Sequence, residues 1–190
     1  MNKTILDGLL NSKEYPFFKS MINNVVQGDT IAKMKELPDN SVDLLLVDLP
    51  YGTTQNKWDS VIPLPDLWEQ YHRIVKENGA MIFTASGVFT GKLILSNPKE
   101  YKYNYTWIKS KATNFLNAKK QPLRKHEDIL VFYRKQPTYN PQMTSGSAYS
   151  KVVRKDQITG AYGDFKPVLV KSKGKRYPVD VLYFKTAEAE

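Results

Sequence analysis

The sequence predicts an α/β fold: a partial parallel sheet, extended by antiparallel strands and carrying a basic, loop-rich insertion. Three observations predict it. A nearly unbroken apolar run, VDLLLVD at 42–48, is bounded by turn residues. Leu64, Leu67, Trp68, Tyr71, Ile74 and Val75 recur at helical spacing and lead into a second apolar run, AMIFTA at 80–85. After residue 100 the pattern changes to aromatic and β-branched runs, YKYNYTWIK at 101–109 and EDILVFYR at 127–134.

Taken in order, NVVQG at 24–28 reads as a short strand, with Asp29 and Thr30 as helix caps after it. Ile31, Met34 and Leu37 mark one face of a short helix, and Pro38-Asp39-Asn40-Ser41 is a turn cluster. The 42–48 run is apolar on both faces, which suits an interior parallel strand. A buried helical turn explains the same run less well. Asn78-Gly79 is expected to end the long helix, so that 42–48, the helix and 80–85 form a crossover unit. Phe89, Leu93 and Ile94 suggest a further helix that stops before Asn97-Pro98. Strands 101–109 and 127–134 are expected to pair antiparallel, with a polar, basic stretch between them. Residues 137–176 read as loops or a small irregular subdomain, and 177–186 as one more strand. The expected division is 1–136 as the α/β core, 137–176 as a loop-rich recognition region, and 177–190 as a last strand and tail.

Composition narrows the function classes. The chain has 190 residues, no cysteine, and two well-separated histidines, His72 and His126. That excludes disulfides and thiolate metal sites, and no metal site is expected. There is no secretory signal and no run of eighteen apolar residues, so no membrane partner is expected and the cytoplasm is the simplest address. The net charge of +9 is unevenly spread. Residues 1–98 hold 9 basic and 11 acidic side chains, whereas 99–185 hold 19 and 6. A basic second half suits a polyanion-facing surface, or more blandly a solubilising one.

The sharpest feature is Asp48-Leu49-Pro50-Tyr51-Gly52, directly after a predicted strand. In open α/β sheets the carboxyl ends of strands form the ligand crevice. Pro50 fixes its own φ and keeps Leu49 out of the α region, so the Leu49 carbonyl can face a bound group. Asp48 is a second acceptor and Tyr51 a flat face. Two acceptors and a ring suit a planar base with an NH₂ group, whose developing positive charge the acceptors would stabilise during alkylation. The plainer alternative is that Asp48 caps a turn and Tyr51 is core.

DLPY resembles the catalytic D/N/S-P-P-Y motif of amino-group DNA methyltransferases, with Leu49 where the commonest form has proline. LPDNSVDLLLVDLPYGTTQNKWD at 37–59 resembles the entry to that motif in phage and prophage adenine-type enzymes, LWEQYHRIVKENGAMIFTASGVF at 67–89 their next helix and strand, and WIKSKATNFLNAKKQPLRKHEDILVFYRK at 107–135 the stretch after it. The resemblance covers roughly 24–186. It implies a seven-stranded Rossmann-like sheet, S-adenosyl-L-methionine as donor, double-stranded DNA as partner, and a flipped adenine, or less readily the N4 of cytosine, as target. Carried over by position, Asp48 and the Leu49 carbonyl hold the amine, Pro50 shapes the turn, Tyr51 stacks on the base, and Asp48 also lies next to the donor. Lys109, Lys111, Lys119, Lys120, Arg124 and Lys125, with Trp107 and Phe115, are candidates for phosphate and base contact. The alternative is that the rings are core and the lysines merely solvated.

One part of the family pattern does not occur in this sequence: a later strand ending in a glycine-rich turn for the donor. The chain is therefore expected to supply the target-base half and to transfer no methyl group alone. It would then be a fragment of a longer product, a subunit needing a complementary partner or self-association through its incomplete sheet, or a non-enzymatic DNA-binding or assembly module derived from a methyltransferase. With half the sheet missing, 42–48 would stand at or near an exposed edge.

Overall fold

The two apolar runs pair side by side, and everything else packs around that pair. The structure, a computed structural model, describes residues 13–152 and 169–185. In chain order the elements are α1 (Phe18–Met21), α2 (Thr30–Lys35), β1 (Val42–Asp48), α3 (Leu64–Ile74), β2 (Val75–Ala85), α4 (Val88–Ser96), β3 (Tyr101–Thr113), a 3₁₀ turn (Phe115–Asn117) and β4 (Arg124–Phe132). The short strands β5 (Thr144–Ser145), β6 (Tyr149–Val152), β7 (Leu169–Ser172) and β8 (Lys175–Arg176) precede β9 (Val181–Phe184). Two units result, Met1–Thr138 with Val181–Glu190, and Tyr139–Asp180.

In the first unit a five-stranded sheet runs in the order β1-β2-β4-β3-β9. The resemblance implies seven strands; five are found among the described residues. As expected, β1 and β2 are parallel, with Asp48 opposite Thr84. β4 is antiparallel to both β2 and β3, and β9 is parallel to β3. The aromatic strands are offset from their expected limits: β3 runs on to Thr113, and β4 starts at Arg124 and ends at Phe132.

One sheet face carries the core. Leu45, Val47, Met81, Phe83, Ala85, Leu130 and Phe132 pack with Leu67, Trp68, Tyr71 and Ile74 of α3 and Phe89 and Leu93 of α4. Phe83 is fully buried at the centre, its ring 5.6 Å from those of Trp68 and Tyr71 and 5.5 Å from Phe132. Arg73 ties α3 to the segment before β1: its guanidinium donates to the Leu37 carbonyl at 2.7 Å, the Met34 carbonyl at 2.6 Å and Asp39 at 2.7 Å. Asp29 caps α2 by accepting from the Ala32 N–H at 2.9 Å, in line with its expected role.

Three expectations are corrected. β1 is not the interior strand its composition suits, but stands at the exposed edge expected of an incomplete sheet. Its only paired neighbour among the described residues is β2, and Leu44 and Leu46 are 56% and 71% exposed on the face away from α3. The apolar run has the composition of a strand covered on both faces, but here only one is covered. The long helix ends at Ile74, not at Asn78-Gly79, and Val75 already opens β2. Asn78 and Gly79 lie where the β1–β2 register jumps from Val42↔Val75 to Leu44↔Ala80. A Cβ on Gly79 would stand 2.7 Å from Val75 Cγ1 and 2.9 Å from the Asp43 carbonyl, so glycine allows the strands to approach there. Residues 24–28 form no strand. Val25 is 94% exposed, and the Asn24 side chain bonds back to the Ser20 carbonyl and forward to the Val25 N–H.

In the second unit, two antiparallel pairs, β5 with β8 and β6 with β7, give the expected irregular region its structure. Residues 153–168 of that region lie outside those described. Of the final run, 181–184 is strand and 177–180 is not.

Phe83→Ala should lower unfolding stability by about 3–5 kcal/mol, the usual cost of an aromatic ring lost from a packed core. Leu46→Ser, at an exposed position, should change it by less than about 0.5 kcal/mol. Urea unfolding followed by far-UV dichroism separates the two, and equal costs would misplace the core face.

Candidate functional site

The parallel register puts the end of β1 beside the end of β2. Thr84 Oγ1 donates to Asp48 Oδ1, and the Tyr51 hydroxyl donates to the same oxygen at 3.1 Å. The Tyr51 ring stacks on Phe89 of α4, centroids 5.1 Å apart and planes 22° apart. One ring face is therefore taken by the core, while the carboxylate beside it remains exposed. Burial pushes the Tyr51 hydroxyl far above its ordinary range; the Thr84 hydroxyl opposes this, and the Asp48 carboxylate adds to it. Tyr51 is thus a neutral donor and a platform at any physiological pH.

Leu49 is 7% exposed and belongs to the core cluster. Its side chain anchors the turn from below, an anchoring that proline at this position would supply less fully. Pro50 is half-buried above it. Asp48 to Tyr51 line a small cavity of about 160 Å³ together with Thr53, Thr54, Trp58 and Asp59. A larger groove of about 480 Å³ lies between α1 and α2, lined by Phe17, Met21, Lys33 and Glu36 among others, away from the strand ends.

Several residues of this site are not singled out by sequence reasoning. Asp59 is buried and accepts from the backbone N–H groups of Gly52 at 2.8 Å, Thr53 at 2.9 Å and Thr54 at 2.6 Å. These bonds fold the segment after Tyr51 back on itself. Gly52 has φ +67, and a Cβ there would meet Val61 Cγ2 at 2.9 Å, so the turn requires glycine. Trp58, next to Asp59, is 72% exposed at the cavity rim. The signal for both was the block GTTQNKWD, a glycine and polar turn closed by a ring and an acid. Thr84 and Phe89 carry no such local signal, because their role depends on register.

The structure separates the predicted cations. Lys109, in β3, is ion-paired with Glu127 and stands 4.9 Å over the Trp107 ring. Trp107 is half-buried, and its indole Nε1 has no hydrogen-bond partner. Lys111 in β3, Arg124 and Lys125 in β4, and Lys119 and Lys120 in the loop between them are exposed on the β3–β4 hairpin. Because Asp128 lies opposite Ala85, residues 124–127 extend past the carboxyl end of β2, on the same edge as Asp48. Arg124 reaches to 4.0 Å of a Cβ built on Gly87, just after β2. Among the described residues no group of three or more His, Cys, Asp or Glu could hold a metal ion, and no helix is long and apolar enough to cross a membrane.

No family model matches the chain. It is 27% identical to the type II methyltransferase M.BglII of Bacillus subtilis over 172 residues, 76% of this chain and 46% of that one. It is 25% identical to the DNA adenine methyltransferase YhdJ of Escherichia coli K12 over 131 residues, 64% of this chain and 45% of that one. The chain thus spans somewhat under half the length of these curated relatives. Among solved structures, the PvuII DNA methyltransferase (cytosine-N4-specific) matches with a TM-score of 0.52 and 9% identity, covering 86% of this chain and 57% of that one. The fold is a mixed α/β sheet resembling part of the Rossmann-like methyltransferase fold, and the sequence is similar to these two curated methyltransferases.

Asp59 gives this site a pH dependence. The Thr54 hydroxyl, then the Gly52 N–H, hold its carboxyl down at about 2, against an ordinary 3.8. A depressed folded-state pKa favours the folded turn above the ordinary value, and that contribution is lost as pH falls towards the lowered one. The amide resonances of Gly52, Thr53 and Thr54 should therefore hold steady down to about pH 3 and move together with a midpoint near the lowered value of about 2. Asp59→Asn should show the loosened positions at neutral pH.

Proposed function

We propose that this chain holds the target base of a DNA methyltransferase that modifies the exocyclic amine of an extruded base, adenine before cytosine. The observation that carries this reading is the Asp48-Leu49-Pro50-Tyr51 turn at the carboxyl end of β1. There a ring backed by Phe89 and a carboxylate oriented by Thr84 border one cavity. The relatives of known activity support it: one is named a DNA adenine methyltransferase and another a type II methyltransferase.

In this reading Asp48 accepts an N–H of the amine and favours the positive charge that develops on nitrogen. Its carboxylate needs no raised basicity, since the proton becomes acidic only as that charge appears. The Leu49 carbonyl is the second acceptor, set by a buried side chain and the following proline. Tyr51 receives the flat face of the base, which must leave the duplex stack to reach it. The exposed cations of the β3–β4 hairpin meet DNA phosphates and set register without reading sequence.

S-adenosyl-L-methionine is the donor this reading requires, and when bound it supplies an electrophilic methyl group. The described residues do not by themselves fit it. The turn after β1 gives its backbone N–H groups to Asp59, and the turn after β2 has the single glycine Gly87. A further segment, of a longer protein or of a complementary subunit, holds the donor, and the edge of β1, unpaired among the described residues, is where such a segment adds strands.

A labelled-methyl assay on duplex DNA, with this chain alone and with such a segment added, tests the reading. Incorporation should need both parts. Asp48→Ala should reduce it at least on the order of 100-fold while calorimetric donor binding by the complemented pair survives. Full activity in the Asp48→Ala pair would remove Asp48 from the reaction. Failure of the pair to bind donor would favour a non-enzymatic DNA-binding module.

A further inference from the structure

The tip of the β3–β4 hairpin carries an apolar pair that the base-holding site does not use. Leu116 is fully exposed and Phe115 is 66% exposed, on the 3₁₀ turn at the hairpin's end. Exposed apolar side chains at a loop tip lose free energy to water unless a partner covers them. The turn holds them in place. Asn114 takes the left-handed conformation, φ +71, and accepts from Asn117 Nδ2 at 2.8 Å; Lys120 N donates to the Asn117 carbonyl at 2.8 Å. Exposed Lys111, Lys119, Lys120, Arg124 and Lys125 flank the pair in sequence on the same hairpin.

A partner for this tip must be strongly anionic around an apolar interior that two side chains can enter. A nucleic-acid duplex has that structure, with phosphates outside and stacked bases within. We propose that Phe115 and Leu116 form a wedge that enters a base step and unstacks it, while the flanking cations grip the phosphates. The hairpin extends past the same end of the sheet that carries Asp48, so unstacking happens at the end where the extruded base is received. The proposal rests on the reading of the chain as a DNA-binding, base-holding half. It adds the element that opens the stack.

Apolar insertion and phosphate contact leave different signatures. Each phosphate contact adds about 0.9 to the slope of log affinity against log salt, and an inserted ring or aliphatic chain adds nothing to it. The probe is a short duplex with one 2-aminopurine in a mismatched pair, where extrusion costs least. Binding of the full chain is followed by anisotropy across a salt series, and unstacking by 2-aminopurine emission. Wild type should bind and raise the emission. The Phe115→Ser, Leu116→Ser double variant should bind about tenfold more weakly, with an unchanged salt slope and no rise in emission. Lys119→Gln with Lys120→Gln should lower the slope by one to two. Leu116→Met should behave as wild type, and dichroism of each variant checks folding.

Duplex binding by wild type that is absent at low salt would overturn both the wedge and the DNA reading beneath it. A double variant that binds and unstacks like wild type, while the lysine pair lowers the slope, would overturn the wedge and leave the DNA reading standing. Self-association of the free chain that the double variant abolishes, without loss of the emission signal, would make the tip a protein contact and overturn the wedge too.

Discussion

The parallel pairing of β1 with β2, in the register that sets Asp48 opposite Thr84, is the constraint on which the rest depends. It brings a hydroxyl to the carboxylate from a different strand, across the crossover helix. That helix buries Leu67, Trp68, Tyr71 and Ile74 under the pair and so fixes the register from below. A slip of one residue would turn Asp48 into the core and Val47 out of it. The same packing places α4 so that Phe89 lies under Tyr51. Core and site are therefore one construction: the residues that set the fold also set the angle of the ring and the orientation of the acid.

The sheet is used unevenly. On the helix-covered face it is closed by aromatic packing around Phe83. At β1 it offers an edge unpaired among the described residues, and the exposed side chains of Leu44 and Leu46. On the far side, the β3–β4 hairpin runs past the carboxyl ends of the strands and brings positive charge to the level of Asp48. The Asp48–Tyr51 turn lies between that edge and the hairpin.

Much of this was legible in the sequence because it is written in short-range patterns. The runs 42–48 and 80–85, the helical spacing from Leu64 to Ile74 and the aromatic strands each carry their own periodicity, and DLPY follows its strand directly. Long-range relations left fainter traces. Asn78-Gly79 looks like a helix stop, yet the helix ends four residues earlier and Gly79 instead relieves a close approach to Asp43 in the neighbouring strand. VVQ at 25–27 has strand composition but finds no partner to pair with among the described residues. Thr84 and Phe89 are ordinary residues in a strand and a helix until the register brings them to Asp48 and Tyr51. The polar block that holds Asp59 marks a turn, but not the three backbone groups that its carboxylate bonds.

The central claim is that the turn from Asp48 to Asp59, with Thr84 beside it, receives a nucleobase. An NMR titration of the full chain with single-stranded oligodeoxyadenylate, against an abasic strand of equal length and charge, tests it most directly. The account predicts that both strands shift the resonances of the hairpin from Lys111 to Lys125, where phosphates bind. Only the adenine strand should shift Asp48, Tyr51, Trp58 and Thr84. Equal perturbation of those four by both strands, or none by either while the hairpin responds, would show that the cavity at the end of β1 is not a base pocket.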